Sequence, residues 1–343
     1  DINYSRIGYG EKEMDAFVSE VKEYVVPVLS HIFEETRKRL GLEEMTVADI
    51  SLMFVDGNAK PSGGADVLKE AAKKMYKALS PEMEAFFTGM LDSHSIDVDF
   101  SPNKVSGMGF CTDLKKGMYP FVFGNLDGTS WDVTVFTHEV GHAWQSYASD
   151  QNLDLTLFRE MPLDAVEIPS KTMELFSYPF AEEFFGKDGD KFRFAHFRNA
   201  VKEIVAYTSV HELNTWIYTH VGASFDEINE KWMEIQSSYY PNVSYGEMEE
   251  EEKKGAGLLR NMGIFMFPRY LISYVFSEMC AIDLFMEYLK DKDKALDSYN
   301  RLCRVGGSKS YPEILSAAGL EPSYNKGRVK NVMEKVKAYL ENN

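Results

Sequence analysis

Residues 137–144 read Thr137-His138-Glu139-Val140-Gly141-His142-Ala143-Trp144, which contains the pattern His-Glu-x-x-His. On a helix, side chains four residues apart lie on one face with about 5–6 Å between their Cβ atoms, so both imidazoles can reach one metal ion. Glu139 lies one step round the helix from His138, where it can hold a water molecule beside the metal and take its proton. The stretch therefore predicts a helical zinc site that activates water.

The short pattern alone is not specific, because it also arises by chance in helices whose histidines only cap or decorate a surface. A catalytic zinc site also requires a third protein ligand. Glu167 lies 25 residues after His142, which allows the first helix to end and a second helix to return alongside it. It is flanked by apolar Val166 and Ile168, a poor place for a carboxylate unless a charged group faces it. We therefore predict that His138, His142 and Glu167 bind one Zn²⁺ ion.

Composition and charge limit the classes of protein to which this chain can belong. With 343 residues, of which 44% are hydrophobic, it can bury a large core. Its formal net charge of −17 argues against nucleic acid or an anionic membrane as a partner, and no run of eighteen apolar residues predicts a membrane span. The three cysteines lack metal-type spacing and form no even set for disulfides, so we expect thiols in a protein of the reducing cytoplasm.

Apolar residues recur mainly with helical periodicity. An apolar stripe from about Glu11 to Leu40 predicts a long helix with a bend at Pro27. Ser80-Pro81 predicts the start of another helix, since proline suits the first helical position. Besides the helix that carries the two histidines, the pattern predicts helices at about Asp66–Leu79, Asp164–Glu182, Asp190–His220, Phe225–Gln236, Gly257–Tyr288, Lys292–Leu302 and Lys326–Leu340.

Two segments differ from this helical pattern. Gly107–Thr112 and Tyr119–Gly124 are short and rich in aromatic and β-branched residues. They are joined by Lys115-Lys116-Gly117, so together they predict a β-hairpin.

One other His-Glu pair is present, but its spacing does not predict a metal site. His211-Glu212 is followed at position 215 by threonine, and His220 lies nine residues on, which places it on a different helix face. The remaining histidines are isolated in the sequence and are interpreted as surface or satisfied core residues: His31, His94 and His196.

Several blocks of sequence, in a fixed order, carry a resemblance to a known family. They are Phe121–Thr129, Phe136–Ala143, Glu167–Glu174 and Pro268–Tyr274, followed by Cys280-Ala281. With these blocks the chain resembles the thimet-oligopeptidase-like zinc peptidases over nearly its whole length, and most closely oligoendopeptidase F. The pattern His-Glu-x-x-His is shared by many families, whereas these blocks in this order are specific.

The resemblance implies roles for the residues that match the family's motifs. The family's zinc ligands fall on His138, His142 and Glu167, and its general base falls on Glu139. Glu174 matches a recurring family glutamate, which could accept a hydrogen bond from a ligand imidazole and so fix its tautomer.

The resemblance also implies residues that contact the substrate. The strand that contains Gly109 matches the family's edge strand, which pairs with the substrate backbone through main-chain hydrogen bonds. Tyr270 and Tyr274 match retained family tyrosines and lie four residues apart, on one face of the predicted helix. We expect Tyr270 to bind substrate and Tyr274 to donate a hydrogen bond to the oxyanion.

The sequence departs from the family pattern in two places. A histidine and a tyrosine that family members commonly carry are replaced here by Gly263 and Phe265. Those absent groups usually help to hold the substrate or to stabilise the oxyanion. The family also has an N-terminal lobe, which we expect this chain to lack, so that lobe would be a further partner.

Taken together, these observations predict a mainly α fold: a large multi-helix zincin-like catalytic domain over residues 1–343, with a small β-hairpin sheet beside the zinc site. The function predicted is that of a zinc endopeptidase, which hydrolyses internal bonds of short peptides with loose sequence specificity. A first alternative is a zinc carboxypeptidase or aminopeptidase of similar helical fold, with Arg269 anchoring the substrate terminus. A second is a peptide-binding protein with little activity, motivated by Gly263 and Phe265.

Overall fold

A computed structural model describes residues 8–105, 108–114 and 118–341, and these residues form the predicted mainly helical fold. The strands are β1 (Ile96–Asp97), β2 (Gly109–Thr112) and β3 (Phe121–Gly124). The α-helices, in chain order, are α1 (Glu11–Glu20), α2 (Val26–Leu40), α3 (Ala65–Leu79), α4 (Pro81–Asp92), α5 (Trp131–Asn152), α6 (Leu163–Phe176), α7 (Ala181–Phe185), α8 (Gly189–Thr219), α9 (Phe225–Tyr239), α10 (Glu249–Lys253), α11 (Ala256–Arg260), α12 (Met262–Phe265), α13 (Ile272–Tyr288), α14 (Lys292–Val305), α15 (Tyr311–Ala318) and α16 (Arg328–Leu340).

The chain divides into two compact units. Unit 1 contains Ala59–His196 and Cys280–Pro322, together with Gly8, and so includes the motif helix α5 and the sheet. Unit 2 contains Tyr9–Asn58, Phe197–Met279 and the described residues from Ser323 onwards. Within the described residues, no helix combines the length and the apolar character that a membrane crossing requires.

Aromatic side chains from α3, α4 and α5 form the core of unit 1. Tyr76 and Phe87 stack with ring centroids 4.6 Å apart, and Phe86 meets Trp144 edge-on at 5.2 Å. Each of these rings is at most 1% exposed, so their burial contributes about 2 kcal/mol or more apiece. Trp144 also donates a hydrogen bond from Nε1 to Asn300 of α14, at 3.0 Å. The helix that carries the metal motif is therefore anchored on the side opposite to its histidines.

The small sheet of unit 1 has the order β1-β3-β2. Strands β2 and β3 pair antiparallel, with Gly109 opposite Gly124 and Thr112 opposite Phe121, as the predicted hairpin requires. The predicted connection Lys115-Lys116-Gly117 and the first residue of the predicted strand, Gly107, lie outside the described residues. The sequence pattern did not reveal β1, because a strand of two residues is too short to show alternation.

In unit 2 the first long predicted helix is interrupted beside Pro27, the position at which we predicted a bend. Between α1 and α2 the chain makes one turn of π-helix, Val21–Val25, in which the Val26 amide donates to the Val21 carbonyl. Pro27 has no amide hydrogen and its ring would collide with the preceding turn, so the wider π-turn accommodates it. Nearby, Phe276 packs edge-on against Phe17 with centroids 5.2 Å apart, which begins the core of this unit.

Two predicted helices are interrupted. The helix predicted at Asp164–Glu182 ends at Phe176, and a 3-10 turn, Tyr178–Phe180, with Pro179 at its centre, separates α6 from α7. The single helix predicted at Gly257–Tyr288 is also wrong, because the structure divides it into α11, α12 and α13. Between α12 and α13, Pro268 removes an amide donor and Arg269 adopts a left-handed φ of 62°, neither of which a continuous helix tolerates.

Candidate active site

Helix α5 presents the two histidines of the motif on one side. Both imidazoles are half-buried, and the Nε2 atoms of His138 and His142 lie 3.1 Å apart. Glu139, which follows His138 in the chain, is buried with only 8% of its surface exposed. The histidine side chains thus converge on one point beside a buried carboxylate.

Helix α6 brings Glu167 to the same point. Its Oε2 atom lies 3.2 Å from Nε2 of His138 and 3.2 Å from Nε2 of His142, and Ser170 Oγ donates to it at 3.0 Å. Ligand atoms about 2.0–2.1 Å from a tetrahedral zinc ion stand about 3.3–3.4 Å apart. The two nitrogens and the carboxylate oxygen therefore form a triangle of the size that zinc binding requires.

Gly141, inside the motif, allows α5 and α6 to approach closely enough for this convergence. A Cβ atom at this position would lie 2.7 Å from Ser170 Cα and 2.9 Å from the Pro169 carbonyl oxygen. Both are backbone atoms, so a larger residue would push the two helices apart and move Glu167 away from the histidines. The Pro169 carbonyl also accepts a hydrogen bond from Tyr299 at 3.1 Å, which ties this contact to α14.

A chain of hydrogen bonds fixes the orientation of His138 from behind. Its Nδ1 atom donates to Glu174 Oε1 at 2.6 Å, and its Nε2 atom faces Glu167 Oε2 at 3.2 Å. The other oxygen of Glu174 accepts from His196 Nε2 at 2.8 Å, and His196 Nδ1 accepts from the Tyr178 hydroxyl at 2.7 Å. The structure thus places His196 and Tyr178 in the support of a predicted ligand. Sequence analysis missed both, since neither lies at a spacing that marks it.

The charges around the histidines favour a cation at this point. Burial alone would lower the pKa of His138, but hydrogen bonds to Glu167 and Glu174 raise it to about 10. Burial would raise the pKa of Glu167, whose contacts with the two histidines instead hold it well below its usual range. Burial also opposes ionisation of Glu174, yet the charge of Lys171 and hydrogen bonds with His138 and His196 lower its pKa. Two ionised carboxylates therefore surround the position at which a metal cation would sit.

Glu139 has the electrostatic character of a base. Burial raises its pKa above the usual range, the charges of His138 and His142 oppose that rise, and Glu167 and Glu174 add to it. A carboxylate with a raised pKa is a better proton acceptor at neutral pH than an exposed one.

Strand β2 lies directly against Glu139. A Cβ atom at Gly109 would lie 2.4 Å from Val135 Cγ1 and 3.3 Å from Glu139 Cγ, so only glycine permits this close contact between strand and helix. Within the described residues β2 pairs on one side only, with β3, so its other side is an edge. The edge that we predicted for substrate pairing therefore runs beside the predicted base.

The two predicted tyrosines belong to unit 2. Tyr274 lies in the first turn of α13, whereas Tyr270 precedes the helix, so the prediction that both lie on one helix is wrong. Their hydroxyl oxygens are nevertheless 3.3 Å apart, because the turn before α13 brings Tyr270 back over it. Of the two residues that depart from the family pattern, Gly263 is buried and Phe265 is 54% exposed.

Comparison with known proteins places these features in a family. A model of the family described as peptidase family M3 matches residues 69–333. Oligoendopeptidase F homolog from Borreliella burgdorferi is 21% identical over 326 residues, which are 92% of this chain and 53% of that protein. The chain thus spans about half the length of this curated relative.

Solved structures show the same relationship. PZ peptidase A, determined with an inhibitor, superposes with a TM-score of 0.90 at 31% identity over 99% of this chain and 60% of its own. A candidate oligoendopeptidase F from Bacillus anthracis superposes with a TM-score of 0.85 at 31% identity, over 99% of this chain and 58% of its own. Since the family model covers most of the sequence and includes both the motif helix and Glu167, the chain belongs to peptidase family M3.

Proposed function

We propose that this protein is a zinc-dependent endopeptidase that cleaves internal bonds of short peptides. The observation that carries the proposal is the triangle formed by His138, His142 and Glu167, with sides of 3.1–3.2 Å, beside the buried carboxylate of Glu139. Membership of family M3 supports peptide hydrolysis, and two nitrogens with one carboxylate oxygen are a common donor set of catalytic zinc. That set leaves one coordination position open for chemistry.

Zinc held by these three residues would polarise the scissile carbonyl and make a water molecule more acidic. Glu139 would take the proton of that water as it attacks the carbonyl carbon, and would then pass the proton to the leaving amine. With zinc bound at Nε2, Glu174 would accept the remaining ring proton of His138 at Nδ1 and so hold the imidazole in its orientation.

The edge of β2 supports a peptide as substrate. An extended peptide can add to this edge through main-chain hydrogen bonds, which are the same for every sequence. Gly109 lets the strand itself lie against Glu139, so a peptide added to this edge would run beside the base. Recognition through the main chain would give the loose sequence specificity that we predict.

We also propose that Tyr274 donates a hydrogen bond to the oxyanion that forms during attack, with Tyr270 as a substrate contact. The 3.3 Å separation of their hydroxyl oxygens supports this assignment, since two phenols acting on one ligand must lie close together. Tyr274→Phe should lower kcat by about 10²–10³ with unchanged zinc content, as for loss of one oxyanion donor. A decrease of less than about tenfold would make Tyr274 structural and Tyr270→Phe the next variant to measure.

The function is tested by mass spectrometry of the products from a mixed pool of short peptides. Every peptide in the pool carries an acetylated N-terminus and an amidated C-terminus, and the digestion is repeated after removal of metal with a chelator and after readdition of zinc. We expect internal cleavage at many sequences, its loss with chelator and its return with zinc.

The same experiment separates the alternatives. An exopeptidase leaves doubly blocked peptides intact but shortens unblocked ones from one end. A peptide-binding protein leaves both the blocked and the unblocked peptides intact. Retention of labelled peptides on the immobilised protein then identifies the peptide-binding function. Cleavage that survives full removal of metal contradicts the proposed mechanism.

A further inference from the structure

Unit 2 contains a cavity of about 390 Å³ that the proposed peptidase chemistry does not use. Its volume falls within the range of about 300–1,000 Å³ that is usual for sites of small ligands. Helix α8 provides Lys202 and Ala206 to the wall, and α9 provides Gln236 and Ser237. The remaining wall residues come from two loops: Val47, Ile50, Tyr240, Pro241, Val243 and Tyr245.

The two loops that close the cavity are fixed to each other. Thr46 and Ser244 form a parallel β-bridge, in which the Val47 amide donates to the Ser244 carbonyl and the Ser244 amide donates to the Met45 carbonyl, both at 2.9 Å. Asn242 also donates from its side chain to the Ser30 carbonyl at 2.8 Å, which ties the second loop to α2. The cavity is therefore a built feature of the unit, with walls held by backbone hydrogen bonds.

The wall of the cavity is mostly apolar and contains one charged side chain among the described residues. The apolar part is aliphatic or aromatic, and the charged side chain is Lys202. Lys202 is half-buried and forms no ion pair or hydrogen bond with any described residue. In a protein of net charge −17, a partly buried lysine with no ion pair among the described residues is unusual and requires an explanation.

A second buried cation lies behind this wall. Arg198, one turn before Lys202 on α8, is 1% exposed, and its Nη2 donates to the carbonyl of the wall residue Ile50 at 2.6 Å. Its Nε and Nη1 atoms have no hydrogen-bond partner among the described residues, although the guanidinium lies 4.9 Å from the centre of the Phe33 ring. Burial lowers the pKa of Lys202, and the charge of Arg198 lowers it further while Glu203 opposes this. Two cations therefore lie at or behind this wall, and Glu203 is the carboxylate that opposes their effect on each other.

The donors in the wall suit one kind of anion. Tyr240 also forms no side-chain hydrogen bond with a described residue, and burial raises its pKa, so its phenol stays protonated as a donor. One ammonium and one phenol can each bind one oxygen of a carboxylate, and the single charged donor of the wall matches the single charge of a carboxylate. The aliphatic and aromatic residues would then enclose an apolar body.

We propose that this cavity, lined by Lys202 and Tyr240, binds a small carboxylate with an apolar or aromatic body, at a site separate from the metal ligands. Lys202 pairs with the carboxylate, and the apolar walls cover the rest of the ligand. The proposal does not depend on peptidase activity, because every residue in it belongs to unit 2 and none is a predicted metal ligand.

The test uses three probes of equal shape and different charge: 3-phenylpropanoate, 3-phenylpropan-1-ol and 3-phenylpropylamine. Their dissociation constants are measured by ligand-observed NMR with the full chain, as purified and again after removal of metal with a chelator. For probes of this size we expect Kd on the order of 1 mM for the carboxylate. The alcohol should bind about tenfold more weakly, as expected for loss of a charge-assisted hydrogen bond, and the amine more weakly still.

Variants locate the binding. Lys202→Met keeps the length of the side chain and should abolish the preference for the carboxylate over the alcohol. Ala206→Trp should fill the cavity and abolish binding of both. Lys337→Met, which removes an exposed lysine of α16, is the matched control and should leave all three constants unchanged. Thermal unfolding of each variant verifies that it is folded.

Three results would overturn the proposal. The first is carboxylate binding that disappears with the metal and persists in Lys202→Met, since the probe would then bind at the metal. The second is equal affinity for the carboxylate and the alcohol, which would leave an apolar cavity without anion recognition. The third is the absence of binding by any probe at several millimolar.

Discussion

Two His-Glu pairs on long helices of this protein have opposite surroundings. His138-Glu139 faces Glu167 and Glu174, and these carboxylates raise the pKa of His138 to about 10 against the effect of burial. His211-Glu212 lies in unit 2, where burial and then the charge of Arg269 lower the pKa of His211 to about 4. The same dipeptide thus favours a cation in one place and excludes it in the other. What distinguishes a metal site is the set of carboxylates brought to it by other helices.

The glutamates of the two pairs, Glu139 and Glu212, also differ in what their carboxylates contact. Glu139 has its carboxylate beside the histidine cluster and the edge strand, where a reacting water would lie. Glu212 instead accepts hydrogen bonds from Lys22 and from the Tyr239 hydroxyl, each at 2.9 Å. Its oxygens are thus occupied in packing α8 against its neighbours in unit 2.

The largest effect should come from removing the carboxylate that completes the first site. Glu167→Ala should reduce bound zinc from about one ion per chain to nearly none and abolish peptide hydrolysis, because three protein ligands leave none to spare. Metal analysis after gel filtration measures this. Glu183→Ala, which removes an exposed carboxylate that pairs with Lys74, should keep its zinc. Full zinc content in Glu167→Ala would mean that the third ligand lies elsewhere, with Glu174 the next candidate.

The next effect separates the two glutamates directly. Glu139→Gln keeps the shape of the side chain but cannot take a proton, so kcat should decrease by about 10²–10⁴ at normal zinc content. Glu212→Gln makes the same change in the second pair and should leave kcat within about twofold, since its half-exposed ion pair contributes at most about 1 kcal/mol to stability. Near-normal turnover in Glu139→Gln would remove this residue from the mechanism.

A smaller effect should follow from weakening the support of the first histidine. In Glu174→Gln the side chain still fills its buried position, but the carboxylate that accepts from His138 and His196 is lost. We expect zinc affinity to decrease by about 10–100-fold, measured by competition with a chromogenic chelator. Glu183→Gln serves as the control. An unchanged affinity would show that the orientation of His138 does not depend on this hydrogen bond.

The smallest effect tests the comparison by completing the second motif. Thr215→His gives unit 2 its own His-Glu-x-x-His, with the helix spacing of the first. We expect no additional zinc, so the ratio should stay at about one ion per chain, because the charge beside His211 is that of Arg269. Metal analysis of Thr215→His combined with Glu167→Ala gives the clearest measurement. A stoichiometric ion in that double variant would show that spacing alone makes the site.

These differences also explain how far the sequence could predict the molecule. His138, His142 and Glu167 could be predicted, since helical spacing and a carboxylate among apolar neighbours are local signals. His196 could not, because its role depends on Glu174, 22 residues away on another helix, and on no repeated spacing. The cavity beside Lys202 was equally hidden, as its walls come from three separate segments of the chain.

The errors in the predicted helices have a similar origin. Apolar periodicity continued through Gly257–Tyr288, and it could not show that Arg269 takes a left-handed conformation and ends the pattern. The same periodicity continued past Pro179, where a 3-10 turn intervenes. Pro268 precedes Arg269 and Pro179 lies in the 3-10 turn, so in both places a residue without an amide donor stands where the helix is interrupted. Helix α6, by contrast, continues past Pro169. The sequence alone does not distinguish the prolines that interrupt a helix from Pro169, which lies inside one.

The close contact at Gly141 links the metal to the stability of the whole unit. The two helices that meet there carry all three predicted ligands, and they also carry the bonds to Asn300 and Tyr299 of α14. A ligand that binds only the folded state stabilises it by about 2.7 kcal/mol when present at 100 times its dissociation constant. The melting temperature of the protein should therefore rise with the concentration of free zinc. Thermal unfolding then measures how much of the metal is bound.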